Sequence, residues 1–264
     1  MTSIVLNDRA VLRVTGDDRI KFLDGLVTAA ITDAAPGTLI PCALLTPQGK
    51  VIADMIAHIG PDNIALDLSA DAAPGLAKRL QMYTLRAAVT VTATQERVRV
   101  LGDGSADPRA PSLGGRSITA DAPTADRTAY DDARITAIVP EGPDIALGGD
   151  FPHDLNMDMT GAVDFRKGCF VGQEVVSRMK HRGTARRRTV RVIADGPLPE
   201  PGAEVTAGGR TIGRLGTVVG NRGLTLVRID RTDGVGEIAG QTVHFERPDN
   251  APFQFAEPAT PANT

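Results

Sequence analysis

The order of apolar and polar positions along the chain places most of its elements. Ile4 to Val14 alternates loosely about Asn7-Asp8-Arg9, which predicts a short hairpin. After the cap-like cluster Thr15-Gly16-Asp17-Asp18, apolar residues recur at helical spacing at Ile20, Phe22, Leu23, Leu26 and Val27. Thr38–Leu45 and Val51–Ile59 read as apolar strands joined by a turn at Thr46-Pro47-Gln48-Gly49-Lys50. Asn63–Leu68 predicts a further strand, Ala73–Met82 a helix, and Val89–Thr92 and Arg97–Leu101 two more strands. The period is lost over residues 102–128, which predicts loop with one short strand near its end. The β-branched run within Tyr130–Val139 predicts a strand. Pro140–Pro152 reads as loop, His153–Met159 as a short polar helix or turn, and Gln173–Met179 as the first turns of a helix.

The pattern changes from Ala185. Short strands are predicted at Thr189–Ile193, Ala203–Thr206, Arg210–Val219, Leu224–Ile229 and Gln241–Glu246, with hairpin signals at Gly208-Gly209 and Asn221-Arg222-Gly223. Closely spaced strands with glycine turns predict a small antiparallel barrel or sandwich. The expected class is therefore α+β, with a mixed body over residues 1–184 and a β-domain over 185–250. The proline-containing segment 251–264 is expected to be a disordered tail.

Composition narrows the function classes. The 264 residues are 42% hydrophobic and 23% charged, ordinary for a soluble globular protein. Aromatics make up 3% with no Trp, which argues against binding single strands by base stacking. A net charge of −3 provides no global basic field for a polyanion. Cys42 and Cys169 form neither a C-x-x-C pair nor a zinc pattern. The N-terminus lacks a basic-then-apolar export leader, and no apolar run approaches the roughly 20 residues of a bilayer span, so a cytoplasmic, reduced protein that meets no membrane is expected.

Three stretches carry candidate chemistry. In Lys167-Gly168-Cys169-Phe170-Val171-Gly172-Gln173-Glu174, glycines flank a thiol just before a helix start, where unpaired N–H groups lower a thiol pKa. Burial against Phe165, Phe170 and Val171 would oppose that. From the residues alone, a small buried side chain at a glycine corner is the favoured reading. The basic run Lys180 to Arg188 suits an anion or nucleic-acid contact, or a solvated linker. Asp54 interrupts an apolar strand with Ile52 and Ile56 on its own face, and binding of a protonated nitrogen stands about even with a structural role.

These residues together resemble a known family. The run Val163–Glu174 resembles the K-G-C-[FY]-x-G-Q-E signature of the YgfZ-type folate-binding proteins, relatives of the aminomethyltransferase (T-protein) of the glycine cleavage system. Gly16–Val27, the Leu44–Asp54 stretch with T-P-Q-G-K, Phe151–Asp158 and Arg182-Gly183 resemble further family segments in the same order. The resemblance implies a three-lobed body around a central channel for tetrahydrofolate or a one-carbon derivative, closed by a C-terminal β-barrel. It implies support of iron–sulfur cluster assembly or repair, and through it of iron–sulfur enzymes such as tRNA-modifying ones. Cys169 would be the functional thiol and Asp54 the carboxylate near the folate nitrogens. Lys167, Gly172, Gln173 and Glu174, with Arg178 and Arg182, would shape or line the binding site. Partners would be iron–sulfur proteins or their assembly machinery, with a weak tRNA contact through Arg186, Arg187 and Arg188. The alternative is an enzyme, a folate-dependent aminomethyltransferase or demethylase acting on a small amine. Thr136 stands where the aminomethyltransferases carry a pterin-binding carboxylate, and Cys169 has no counterpart in them; both departures point away from aminomethyl transfer.

Overall fold

The computed structural model describes residues 3–257. Three β-structures organise the chain. The first is a five-stranded antiparallel sheet formed by β2 (Arg9–Thr15), β3 (Leu39–Leu45), β4 (Val51–Ile59), β5 (Asn63–Ser69) and β6 (Thr90–Ala93), in the order β3-β4-β5-β2-β6. Leu12, Val14, Ala57, Leu66 and Leu68 of these strands pack on α1 (Arg19–Asp24) and α2 (Ala73–Tyr83), which bury Leu23, Leu76 and Leu80. The second is a sheet of β1 (Ile4–Leu6), β7 (Arg97–Gly102), β8 (Ser105–Ala106) and β9 (Gly115–Thr119), in the order β1-β7-β9-β8, beside α3 (Thr128–Ala137). The third follows α4 (Gln173–Arg182). It is a closed barrel of β10 (Arg187–Ala194), β11 (Glu204–Ala207), β12 (Arg210–Val219), β13 (Arg222–Arg228), β14 (Val235–Ile238) and β15 (Gln241–Glu246), which leaves no open edge. The barrel interior is filled by Val190, Val192, Val205, Leu215, Val227 and Val243.

The predicted N-terminal hairpin does not form. β1 pairs with β7 while β2 pairs with β5 and β6, so the tight link at Asn7-Asp8 carries the chain from one sheet to the other. The stretch predicted as a strand at Tyr130–Val139 is the helix α3. Its buried face is Tyr130, Arg134 and Ile135, and Arg127, Asp131 and Arg134 form ion pairs at i,i+4 and i,i+3. The isoleucines that suggested a strand fall where the helix ends, with Ile138 in the left-handed region at the C-cap. Residues 102–128 hold two short strands, and β14 is an additional barrel strand with no counterpart among those predicted.

The tail expectation is corrected over 251–257. Phe253 is buried in the barrel cluster, Phe255 packs against it, and the Ala256 N–H donates to Ile229 and Thr232 carbonyls at 3.0 and 2.9 Å. Residues 258–264 of that tail lie outside the described residues.

Candidate functional site around the Cys169 loop

Cys169 is exposed at the tip of a loop whose flanks are buried. On one side the Asp164 N–H donates to the Thr28 carbonyl at 2.9 Å. The Thr28 hydroxyl donates to the Ala162 carbonyl at 2.5 Å and accepts from the Ala43 N–H at 2.8 Å, fastening the loop to the β3 edge of the five-stranded sheet. Lys167 Nζ donates to the carbonyls of Asp24, Val27 and Ala29 at 2.6, 2.9 and 2.9 Å, closing the turn after α1. On the other side Phe170 is buried with Ala43, Leu45, Val51 and Val176. Lys167 and Phe170 therefore hold the backbone, and the thiol between them faces solvent. The favoured reading of Cys169 as a buried corner residue is overturned. The helix does begin where the sequence places it, at Gln173, with Gly172 as N-cap and Cys169 three residues before that cap.

The two glycine-rich stretches meet. Gly172 has φ +80° and Gly49 φ +78°, and a Cβ on Gly172 would lie 2.5 Å from the Thr46 carbonyl oxygen and 3.0 Å from Gly49 Cα. Only two glycines allow this backbone approach. It docks the Thr46–Lys50 turn on the start of α4. Lys50 closes the far side, donating to the Gly149 carbonyl at 2.7 Å and lying over the Phe151 ring.

The other expected site residues do not converge on a ligand pocket. Gln173 is half-buried at the start of α4. Glu174 pairs with Arg178 one turn on, at 2.5 Å in solvent. Arg182 is exposed at the far end of the helix. Of the arginines expected to touch tRNA, Arg186 is exposed and has no ion-pair partner among the described residues. Arg187 pairs with Asp150 and Asp154 at 3.1 and 2.6 Å, and Arg188 is buried on Asp158 and the His153 carbonyl at 2.6 and 2.9 Å. The last two members of the basic run, Arg187 and Arg188, thus form internal ion pairs fixing the barrel to the 150–158 turns. Cys42 is buried, and burial pushes its thiol up to about 12.

Asp54 lies elsewhere, in the interior between the two sheets. Arg9 Nη1 approaches it at 3.8 Å. Burial pushes its carboxyl above the ordinary range, with Arg9 opposing. Around it runs a buried polar network that the sequence reading missed. Arg9 Nε donates to Asp67 at 2.7 Å, Arg116 joins Asp67 to Asp107, and Arg109 and Arg116 both donate to the Tyr130 hydroxyl beside Glu141. Asp67 stands in Asn63-Ile64-Ala65-Leu66-Asp67-Leu68-Ser69, so the reasoning that singled out Asp54 applies to it equally. The arginines carried no such signal.

The sequence comparisons decide the family. The sequence model of the CAF17 C-terminal β-barrel domain matches residues 186–253. The mitochondrial iron–sulfur cluster assembly factor IBA57 homolog of Pyricularia oryzae is 32% identical, over 85% of this chain and 71% of that protein. This chain belongs to the IBA57 family. The human mitochondrial iron–sulfur cluster assembly factor IBA57 is 31% identical, over 87% of this chain and 78% of its own. Among solved structures, the glycine cleavage system aminomethyltransferase T of Bartonella henselae superposes with a TM-score of 0.73 at 14% identity, covering 97% of this chain and 87% of that one. The aminomethyltransferase-like fold is therefore as the sequence resemblance implied, while the named branch is IBA57 rather than YgfZ. The expected cytoplasmic location is overturned by these relatives, which are named as mitochondrial proteins.

The fold neighbour raises the question of whether this IBA57-family interior accommodates a folate. The cavity that Asp54 lines, with Cys42, Arg109, Leu155 and Met157 on its walls, measures about 30 Å³. That holds one or two waters, an order of magnitude less than a drug-sized ligand requires. Thr136 is exposed on α3 and lines a different depression with Ser3 and Leu101. The cavity beside Asp54 therefore does not fit the cofactor.

Proposed function

We propose that this protein is an iron–sulfur cluster assembly factor that offers Cys169 as a single thiolate ligand to a cluster held otherwise by a partner protein. The observation that carries the reading is the presentation of Cys169, exposed between the buried anchors Lys167 and Phe170 in a member of the IBA57 family. Clusters of this kind take four protein ligands. Among the described residues no group of three or more His, Cys, Asp or Glu side chains is placed to hold a metal ion, which supports shared ligation over a complete site on this chain. The partner then belongs to the assembly machinery, and iron–sulfur enzymes, tRNA-modifying ones included, are affected downstream. Folate has no part in this reading, because the cavity beside Asp54 is water-sized. A direct tRNA contact also lacks support, with Arg187 and Arg188 occupied internally.

The test is Cys169→Ser in cells that lack the native chain. The variant is expected to fold with an unchanged melting temperature, since the side chain is exposed, and to fail to restore iron–sulfur enzyme activity. Restoration equal to wild type would remove the thiol from the mechanism.

A further inference from the structure

The large apolar side chains left exposed among the described residues are Met82, Tyr83, Leu85, Leu147 and Val235, and the first three fall within four positions. Met82 and Tyr83 end α2 and are 55% and 44% exposed; Leu85, in the 3-10 turn Thr84–Arg86 that follows, is 89% exposed. The chain has two tyrosines and no Trp, yet one of the tyrosines is spent on this surface while Tyr130 is buried. Isolated exposed apolar residues are ordinary, but contiguous ones mark contact sites. The flanking charges are Lys78, Arg79 and Arg86, and residues 72–94 contain no carboxylate. Tyr, Met and Arg are the residue types enriched in protein interfaces.

We infer that Met82, Tyr83 and Leu85, flanked by Lys78, Arg79 and Arg86, form a docking surface for a protein partner presenting apolar side chains within an acidic rim. Charge chooses among occupants. A second copy related by a two-fold axis would set these cations against their equivalents, which is repulsive. An anionic bilayer is held by clusters of about four to eight basic side chains, and this patch has three. An acidic protein rim meets complementary charge at Lys78, Arg79 and Arg86. The patch adjoins β6, one edge strand of the five-stranded sheet, while the Cys169 loop is fastened at β3, the other edge. Four inter-strand steps separate those edges, about 19 Å. The surface is thus distinct from the thiol, and the inference holds whether or not Cys169 meets a cluster.

The experiment places a benzophenone photo-crosslinking residue at position 82 of the full chain in cells and maps the adduct by mass spectrometry. The expected result is one dominant adduct to an acidic segment of another protein. Its yield should fall at least about tenfold with R79E/R86E and should be unchanged in C169S, both variants melting as wild type. An adduct indifferent to charge reversal, an adduct to a second copy, or no adduct at all would overturn the proposal. Flotation of the purified chain with vesicles of equal phosphatidylglycerol and phosphatidylcholine, lost in L85D, would overturn it in favour of a membrane surface. Loss of the adduct in C169S would make the two sites one.

Discussion

Arg116 on β9 donates its Nε to Asp67 Oδ2 on β5 at 2.6 Å, with both side chains wholly buried. This contact runs from the four-stranded sheet to the five-stranded sheet, beside the apolar packing of Val11 and Ala65 on Ile4, Val98 and Val100. Arg9 approaches the other oxygen of the same carboxylate from β2, at 2.7 Å. The two guanidinium groups hold the Asp67 carboxyl well below the usual carboxylate range, against the desolvation that opposes it. Asp67→Ala leaves two buried cations short of a partner. Breaking one side of a buried pair costs about 3–5 kcal/mol. Urea unfolding of the variant should show a loss in that range with both sheets affected together. A loss below about 1 kcal/mol would mean the interior relaxes around the gap and the contact adds little to the junction of the sheets.

A second prediction concerns pH. His153 is buried against Phe165, their ring centroids 6.0 Å apart, and neither ring nitrogen has a hydrogen-bond partner among the described residues. Burial lowers its pKa, Asp158 opposing and Arg188 and Lys180 reinforcing. The native state thus binds fewer protons here than the unfolded chain does. Stability from this group is complete above the unfolded value near about 6.5 and is lost as pH falls below it. Unfolding free energy should decline from pH 7 to pH 5, by at most about 1.4 kcal/mol per pH unit for this one proton. His153→Phe should flatten that interval. The Asp67 and Glu141 carboxylates, both held well below their ordinary values by the arginines around them, add a separate loss only below about pH 4. An unchanged slope in His153→Phe would assign the decline to other groups.

Folate binding gives a third. Calorimetric titration with tetrahydrofolate is expected to show no heat of binding for the wild type, because the cavity beside Asp54 is about 30 Å³. Asp54→Ala removes a carboxylate that burial already disfavours in its charged form. That variant should be about as stable as the wild type or more so, and equally without affinity. Saturable binding by the wild type that Asp54→Ala abolishes would mean the interior opens for the ligand.

What the sequence disclosed follows from how each feature is encoded. The barrel strands other than β14 and the hairpin around Pro47 and Gly49 are local alternation plus turn residues, and they stand almost where the pattern places them. Helix α3 was hidden because Ile135, Thr136, Ile138 and Val139 mix helix and C-cap positions in a strand-like string. The split of β1 from β2 depends on which distant strand each one joins, β7 or β5, and no short-range signal carries that. At the site, Cys169 stood out by motif, but its exposure depends on Lys167 reaching residues 138–143 positions earlier in the chain. The buried arginines were invisible for the same reason: nothing local marks Arg9 or Arg116 until the fold brings Asp67 between them.

The last prediction concerns Lys167, where loop geometry and the proposed chemistry meet. Its ammonium group is nearly enclosed and satisfies three main-chain carbonyls at once, with the Asp24 carboxylate at 3.7 Å. Burial lowers its pKa, and Asp24 partly restores it. Lys167→Met keeps the length of the stem but strips the carbonyls of Asp24, Val27 and Ala29 of their donor. Unsatisfied buried acceptors put the cost at about 2–4 kcal/mol. Lys167→Arg should not restore the wild type, since a planar guanidinium fork cannot converge on three carbonyls as a tetrahedral ammonium does. The consequence for function is separable from the loss of stability. Freed from its clamp, the 164–169 segment should be cut by trypsin after Arg166 well before the barrel unfolds, a readout that global destabilisation alone would not give. Iron–sulfur enzyme activity in complemented cells should fall although Cys169 itself is intact. If Lys167→Met complements fully while its loop is cleaved rapidly, then a thiol on a loose loop serves as well as a held one, and the fixed presentation of Cys169 is not part of the mechanism.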